Sequence, residues 1–331
     1  MKFRRLAVLI TFACAAALGA PGLAAAAPPD RATGWLERQL VGGDHLETEF
    51  GGTSYPDAGL TIDAVFAFAS AHSAGQAGGR AMAWLSAPAT LSAYIGDGTS
   101  ESYAGATAKT ALAAEVRGLD PAAFGGVDLT ARLRALLTPS GRFSDHSAYG
   151  DYSNAFSQSL AIVALHRAPG GAPSAAAAFL AGTQCADGGF PLELAASPCV
   201  SDTDSTAMAV QALRSAGRAV PARSGLAWLA GRQQANGGLS VGTGDPAVAP
   251  NANTTGLAGQ ALHSGGRPAA ASRAKKFLLG LQVVTGDNAG AIAYTAAGFD
   301  PATAVRATTQ AVLGLGGCGF AELSSAGSNP A

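Results

Sequence analysis

The sequence predicts an all-α fold, an (α/α)6 toroid: six helical hairpins closed into a ring. Three observations predict it. Segments 204–217 and 253–266 match without a gap at an offset of 49 residues, sharing the Gln-Ala-Leu steps Gln211-Ala212-Leu213 and Gln260-Ala261-Leu262. Looser copies begin near Ile62, Ala106, Asn154 and Thr303, so the six starts are spaced by 44, 48, 50, 49 and 50 residues. A second series alternates with the first: Trp35-Leu36, Trp84-Leu85, Phe179-Leu180, Trp228-Leu229 and Phe277-Leu278, with Arg132-Leu133 filling the missing step.

Each element follows from its composition. The first series reads as Ala- and Leu-rich helices with an Asp, Asn, Thr or Ser near the start, as a helix N-cap requires. Most of them end in Gly, which suits a left-handed C-cap. These helices are almost wholly small and apolar, so both faces must be buried. The aromatic-bearing series is amphipathic and carries Arg, Lys and Gln, so it faces water. One buried layer inside one amphipathic layer describes a double ring. An open solenoid would need polar terminal caps, and none is evident. Apolar residues at 48% and charged residues at 13% supply the core this needs.

The N-terminus reads as a secretory signal over 1–27, followed by a toroid domain over 28–331 with a repeat core of about 34–317. Lys2, Arg4 and Arg5 precede an apolar run from Leu6 to Leu18, and Ala25-Ala26-Ala27 offers a small-residue cleavage site. The expected location is secreted, in the medium or against the cell wall. Removing those three cations from 21 leaves 18 Lys and Arg against 22 Asp and Glu, a net of −4. There is no basic run, which excludes nucleic acid as an expected partner. In an oxidising compartment Cys185 and Cys199 are placed to bridge across one long loop, although a bridge from Cys318 to either stays open.

The pattern resembles the terpenoid cyclase and protein prenyltransferase superfamily. That family's repeat runs from an aromatic-Leu helix through Gln to Gly and a final Trp, and that Trp is absent from every copy here. Its counterparts here are Phe179-Leu180, Gln184, Gly188 and Phe190; then Trp228-Leu229, Gln233, Gly237 and Leu239; then Phe277-Leu278, Gln282, Gly286 and Asn288. The resemblance covers about residues 34–317 and implies the toroid. It leaves activity open, because the superfamily holds cyclases, transferases, cobalamin carriers and thioester proteins.

In class II cyclases the motif Asp-x-Asp-Asp-Thr-Ala supplies a carboxylic acid that protonates an alkene. The resemblance places Asp204 as that acid and Asp202 in support, with Ser205 replacing the last Asp. A bland alternative is that Asp204 caps its helix, with Asn253 doing the same one repeat later. Gly317-Cys318-Gly319 resembles a thioester motif but lacks the Gln that would take the acyl group. The scattered histidines and the bridging cysteines give no zinc set, so no metal or cofactor is expected.

A different group suits binding. The loops entering the inner helices carry all six tyrosines: Tyr55, Tyr94, Tyr103, Tyr149, Tyr152 and Tyr294. Beside them lie Asp57, Asp97, Asp151, Asn251 and Asn253. Tyrosine joins an apolar face to a polar tip, as a ligand-gripping rim requires. The expected ligand set is Tyr55, Asp57, Tyr149, Asp151, Tyr152, Asn251 and Tyr294. The reading is a non-catalytic, monomeric protein that binds a bulky amphipathic small molecule or a cell-surface ligand. Cobalamin would need a partner chain, and a cyclase using Asp204 is the alternative. Glycan processing is a third reading, requiring two carboxylates across a groove.

Overall fold

The structure is a computed structural model, and residues 26–329 are described. Of the signal reading over 1–27, residues 1–25 lie outside them. Six inner helices form the central layer: α2 (Ala58–Ala71), α5 (Ala104–Val116), α7 (Ala155–Arg167), α9 (Thr203–Ser215), α11 (Ala252–Ser264) and α13 (Pro301–Gly316). Each packs on the next, and α13 packs back on α2, which closes the ring. The outer arms are α1 (Pro28–Gln39), the pair α3 (Gly75–Leu85) and α4 (Pro88–Ile95), α6 (Leu129–Ala135), α8 (Ser174–Gly182), α10 (Ala219–Arg232) and α12 (Pro268–Gly280). All six aromatic-Leu or Arg-Leu pairs fall on these outer helices. Among the described residues no helix is long and apolar enough to cross a membrane.

The inner helices start where side chains can satisfy their first amides. Asp57, Asn154, Asp202, Asn251 and Asp300 each accept a backbone N–H from the first turn. At α5 the cap residue is Tyr103, and Asp145 from a neighbouring loop accepts from Ala104 N at 2.7 Å instead. A second repeated bond ties four of the six incoming loops to their helices. Thr61, Thr206, Thr255 and Thr308 accept the amides of Leu46, Phe190, Leu239 and Ile292 at 2.8 to 3.0 Å.

The family-like glutamines have one job. Gln184 donates to Gly188 O at 2.8 Å and Pro221 O at 2.9 Å, and Gln233 donates to Gly237 O and Ala270 O, both at 2.9 Å. Each thereby ties its own turn to the next outer helix. Gln282 reaches Gly290 O at 3.2 Å and Pro28 O at 2.8 Å, which joins the last hairpin to the first helix. The sixth turn glycine is therefore Gly290 rather than Gly286, because this loop is four residues longer. That insertion also shifts the register of α13. Thr308 takes the place of Thr255, so Arg306 stands level with Asn253 and Asp204.

Close approach at the seam needs a missing side chain. A Cβ on Gly256 of α11 would strike the Gln310 carbonyl of α13, and Gly314 faces the Gly256 backbone in return. The fold adds two features to the helical plan. The outer arm of the second hairpin breaks at Ser86-Ala87, and Pro88 opens α4. The α1–α2 connection carries a hairpin of β1 (Glu47–Phe50) and β2 (Thr53–Pro56), paired antiparallel with Phe50 opposite Thr53. Its two-residue turn, Gly51-Gly52, has φ of 61° and 79°, which only glycine adopts freely.

Candidate functional site

The two departures from the repeat meet at one place. The β-hairpin and α4 stand on either side of the start of α2 and enclose a cleft of about 630 Å³. Its apolar walls are Phe50, Tyr55, Pro56, Trp84, Ala89, Ala93 and Tyr94, and Thr48, Asp57 and Thr90 add polar tips. Phe50 is 81% exposed and Tyr55 54%, so both aromatic faces are available to a visitor.

Trp84 is the repeat tryptophan put to a new use. Trp35 and Trp228 are buried and donate their indole N–H to Asn288 and Asp187. Trp84 is half-buried, lies in the cleft wall, and stacks flat on His45 with ring centres 4.7 Å apart. His45 is itself held by Asp44 at 2.6 Å, so the indole plane is fixed from behind.

The floor of the cleft is charged. Asp57 caps α2 through Leu60 N, accepts from Thr48 Oγ1 at 2.7 Å, and lies 3.5 Å from Arg306. Behind it, Lys109 of α5 meets Asp63 of α2 at 2.6 Å and donates to Gly59 O at 2.9 Å. Burial pushes the Lys109 ammonium toward neutrality, but Asp63 and Tyr94 together more than offset this and leave its pKa raised. Burial likewise raises the Tyr94 hydroxyl. The inner layer is therefore less apolar than its composition predicts. Asp63, Lys109 and Arg306 are tolerated there because they neutralise one another or an adjacent carboxylate.

On the far side of the ring, Asp202 and not Asp204 caps α9, accepting from Ser205 N at 2.7 Å. Likewise Asn251 and not Asn253 caps α11, accepting from Thr254 N at 2.9 Å. Capping thus fails to explain Asp204, because the loop enters the helix two residues earlier than the repeat starts suggested. Asp204 sits in the first turn with Oδ1 buried and without a hydrogen-bond partner, as is Oδ1 of Asn253. Burial raises its pKa to about 7, the Asp202 carboxylate adds to this, and a hydrogen bond with Thr254 opposes it. Asp204 is not among the walls of the cleft.

The expected ligand set is divided by the structure. Tyr55 and Asp57 line the cleft. Tyr149 and Tyr152 are 78% and 75% exposed on a separate loop. Asp151 of that loop pairs with Arg142 at 2.9 Å and accepts from the amides of Asp145 and Ser153. Asn251 is a buried cap, and Tyr294 is half-buried, with its carbonyl taking the Ala252 amide. Phe50 and Trp84 are the members the sequence reading missed. Cys185 and Cys199 are bridged. Cys318 takes no part in that bridge, and its carbonyl accepts from Gln260 at 2.7 Å.

Solved structures share this architecture. The type II terpene cyclase MstE from Scytonema superposes with a TM-score of 0.64 at 15% identity, over 87% of this chain and 96% of that one. The chain has the fold of type II terpene cyclases. A point variant of that enzyme with geranylgeranyl dihydroxybenzoate bound gives a TM-score of 0.63, with 15% identity over 87% and 95% of the two chains. A glycosidase is similar over 88% of this chain and 96% of its own, at 12% identity and a TM-score of 0.60. No protein family's sequence profile and no curated protein's sequence matches the chain.

Proposed function

We propose that the protein is an exported, non-catalytic binder of a bulky amphipathic small molecule, held in the cleft between the β-hairpin and α4. One observation carries this reading. An aromatic-walled cleft of about 630 Å³ opens where Phe50, Tyr55, Trp84 and Tyr94 converge, a volume within the ~300–1,000 Å³ of small-molecule sites. The walls suit an apolar body, and the tips of Thr48, Thr90 and Tyr55 suit a hydroxyl or similar head group. The disulfide fits export, since such bonds persist in oxidising compartments. Nucleic acid is not a partner in this reading, which follows from the slightly acidic net charge. Equilibrium dialysis of the secreted protein against a C20 isoprenoid alcohol and against cobalamin tests it. Saturable uptake of the isoprenoid, lost in Trp84→Ala, is the expected result; no uptake of either would end the reading.

A second reading rests on Asp204. A buried carboxyl with a pKa of about 7 is largely protonated below neutrality, and a class II cyclase needs a neutral carboxylic acid. MstE, which has this fold, is a terpene cyclase. Against it, Ser205 replaces the third Asp of that family's motif, and Asp202 is engaged as a cap. Incubation with geranylgeranyl substrates and mass analysis of the products separates the two. Turnover that disappears in Asp204→Asn would replace binding by catalysis.

A further inference from the structure

Five of the six outer arms carry an aromatic residue before their repeat leucine, and the third carries Arg132 instead. The arginine keeps the aromatic's seat. Trp228 stands over the turn glycine Gly189 and Phe277 over Gly238, so close that a Cβ on either glycine would strike the ring. Arg132 stands over Gly98 in the same way, and a Cβ there would strike its guanidinium. What changes is the partner. Asp187, just before Gly188-Gly189, accepts the Trp228 indole N–H at 2.7 Å. Asp97, just before Gly98, turns onto its own loop instead. Its Oδ1 accepts the amides of Thr99, Ser100 and Glu101 at 2.7, 2.9 and 2.9 Å, and its Oδ2 accepts from Ser100 Oγ at 2.6 Å. These bonds, that from the Glu101 amide first, hold the Asp97 carboxyl well below the usual carboxylate range, so its charge is permanent.

Arg132 is left with donors to spare. Its Nε donates to Ser102 Oγ at 3.0 Å. Among the described residues its two terminal nitrogens meet no acceptor, and no carboxylate lies within 4 Å of them. The other half-buried arginines differ. Arg117, Arg134, Arg142 and Arg167 each donate a terminal N–H to a backbone carbonyl, and Arg232 lies 3.7 Å from Asp187. Burial disfavours the charge of Arg132, and Asp97 opposes this only from a distance. A groove of about 610 Å³ opens beside the guanidinium. Val127, Ala131, Ala135 and Leu136 form its apolar side. Ser102 and His146, paired through their backbones, form its polar side with Arg132 and Asp97. A guanidinium with two unused terminal nitrogens is a planar fork that matches a carboxylate.

We propose that this groove on the outer wall binds a small, flat monocarboxylate of the aromatic-acid class, its carboxylate on the terminal nitrogens of Arg132 and its ring against Val127 and Leu136. The apolar side gives the ring a surface to cover, and the fork gives the head group two parallel hydrogen bonds. The ligand carries one charge rather than two, because the fixed Asp97 carboxylate on the same wall repels a phosphate dianion more strongly. The groove shares no residue with the cleft beside the β-hairpin and does not depend on it.

Isothermal titration calorimetry of the full chain with naphthalene-2-carboxylate tests the site. Saturable binding is expected, weakened at least about tenfold in Arg132→Lys, which keeps the charge and loses the fork. Naphthalene-2-methanol, the same ring without the charge, should also bind at least about tenfold more weakly than the acid. Ala131→Phe, at an exposed position of α6 on the groove wall, fills the groove and should abolish binding. A saturating C20 isoprenoid alcohol should not displace the acid; displacement would place the acid in the cleft and overturn this site. The proposal is likewise overturned if the parent shows no saturable binding, if Arg132→Lys keeps the parent's affinity, or if inorganic phosphate competes as well as the acid. Should Arg132→Lys fail to melt cooperatively, Ala131→Phe decides alone: the parent's affinity retained there refutes the groove.

Discussion

At the N-terminal ends of the inner helices the ring carries a cleft with exposed aromatic walls, formed by a β-hairpin and a broken outer helix. At the C-terminal ends residues 318–329 cross the ring, and Phe320 and Leu323 fill it. The difference teaches where the repeat leaves freedom. Inner helices begin on side-chain caps that tie each loop down, so variation there goes into the loop beyond the cap. They end on carbonyls, which need donors, and Arg167, Gln211 and Gln260 direct their hydrogen bonds to the crossing segment.

The largest effect expected at either end is electrostatic. Each end holds one buried carboxyl raised to about 7, Asp204 at the mouth and Glu115 beneath the crossing segment. Both are raised by burial first, with Asp202 adding at Asp204 and Arg167 opposing at Glu115. A group whose folded pKa is raised contributes stability that is complete below its unfolded pKa and is lost as pH rises through the folded value. The melting temperature should therefore fall by about 5 °C between pH 5 and pH 8. Calorimetry of Asp204→Asn and Glu115→Gln assigns the share of each end, each variant flattening the profile. A profile that rises with pH would contradict the assignment at both.

Smaller effects separate the ends further. Gln211→Ala should cost about 2 kcal/mol in urea unfolding, because it strands the buried Phe320 amide. Asp202→Ala should cost about 1 kcal/mol, the worth of a helix cap. An equal or larger loss at Asp202 would mean that the mouth, not the crossing segment, is the more tightly held end. Phe50→Ala should change stability by less than about 0.5 kcal/mol, since the side chain is 81% exposed. The same change should weaken uptake of the C20 alcohol by roughly tenfold in dialysis.

The ring was legible because its signals repeat. The aromatic-Leu pairs, the glutamines and the cap residues recur at about 49 residues; Gln184, Gln233 and Gln282 make the same pair of bonds, and five of the six inner helices start on their own side-chain cap. The Cys185–Cys199 bridge was also expected. What escaped the sequence was whatever breaks the period. The four extra residues before Gly290 shifted the register of α13 and hid the alignment of Arg306 with Asn253 and Asp204. Asp204 reads as a candidate cap because helix starts cannot be fixed to within two residues by composition. Phe50-Gly51-Gly52-Thr53 did carry a hairpin signal, two glycines between β-prone residues. Nothing local in the sequence says that Trp84 lines a cleft while Trp35 and Trp228 are buried. That distinction arises from the helix break at Pro88, five outer positions that do not break, and the stacking of His45.

Those three tryptophans offer the most direct test. Their indole N–H signals can be followed by nitrogen-15 NMR while the C20 isoprenoid alcohol is added. The proposed cleft predicts a saturable shift of the Trp84 signal alone, with Trp35 and Trp228 unmoved. A titration that shifts Trp35 or Trp228 and leaves Trp84 in place would contradict it.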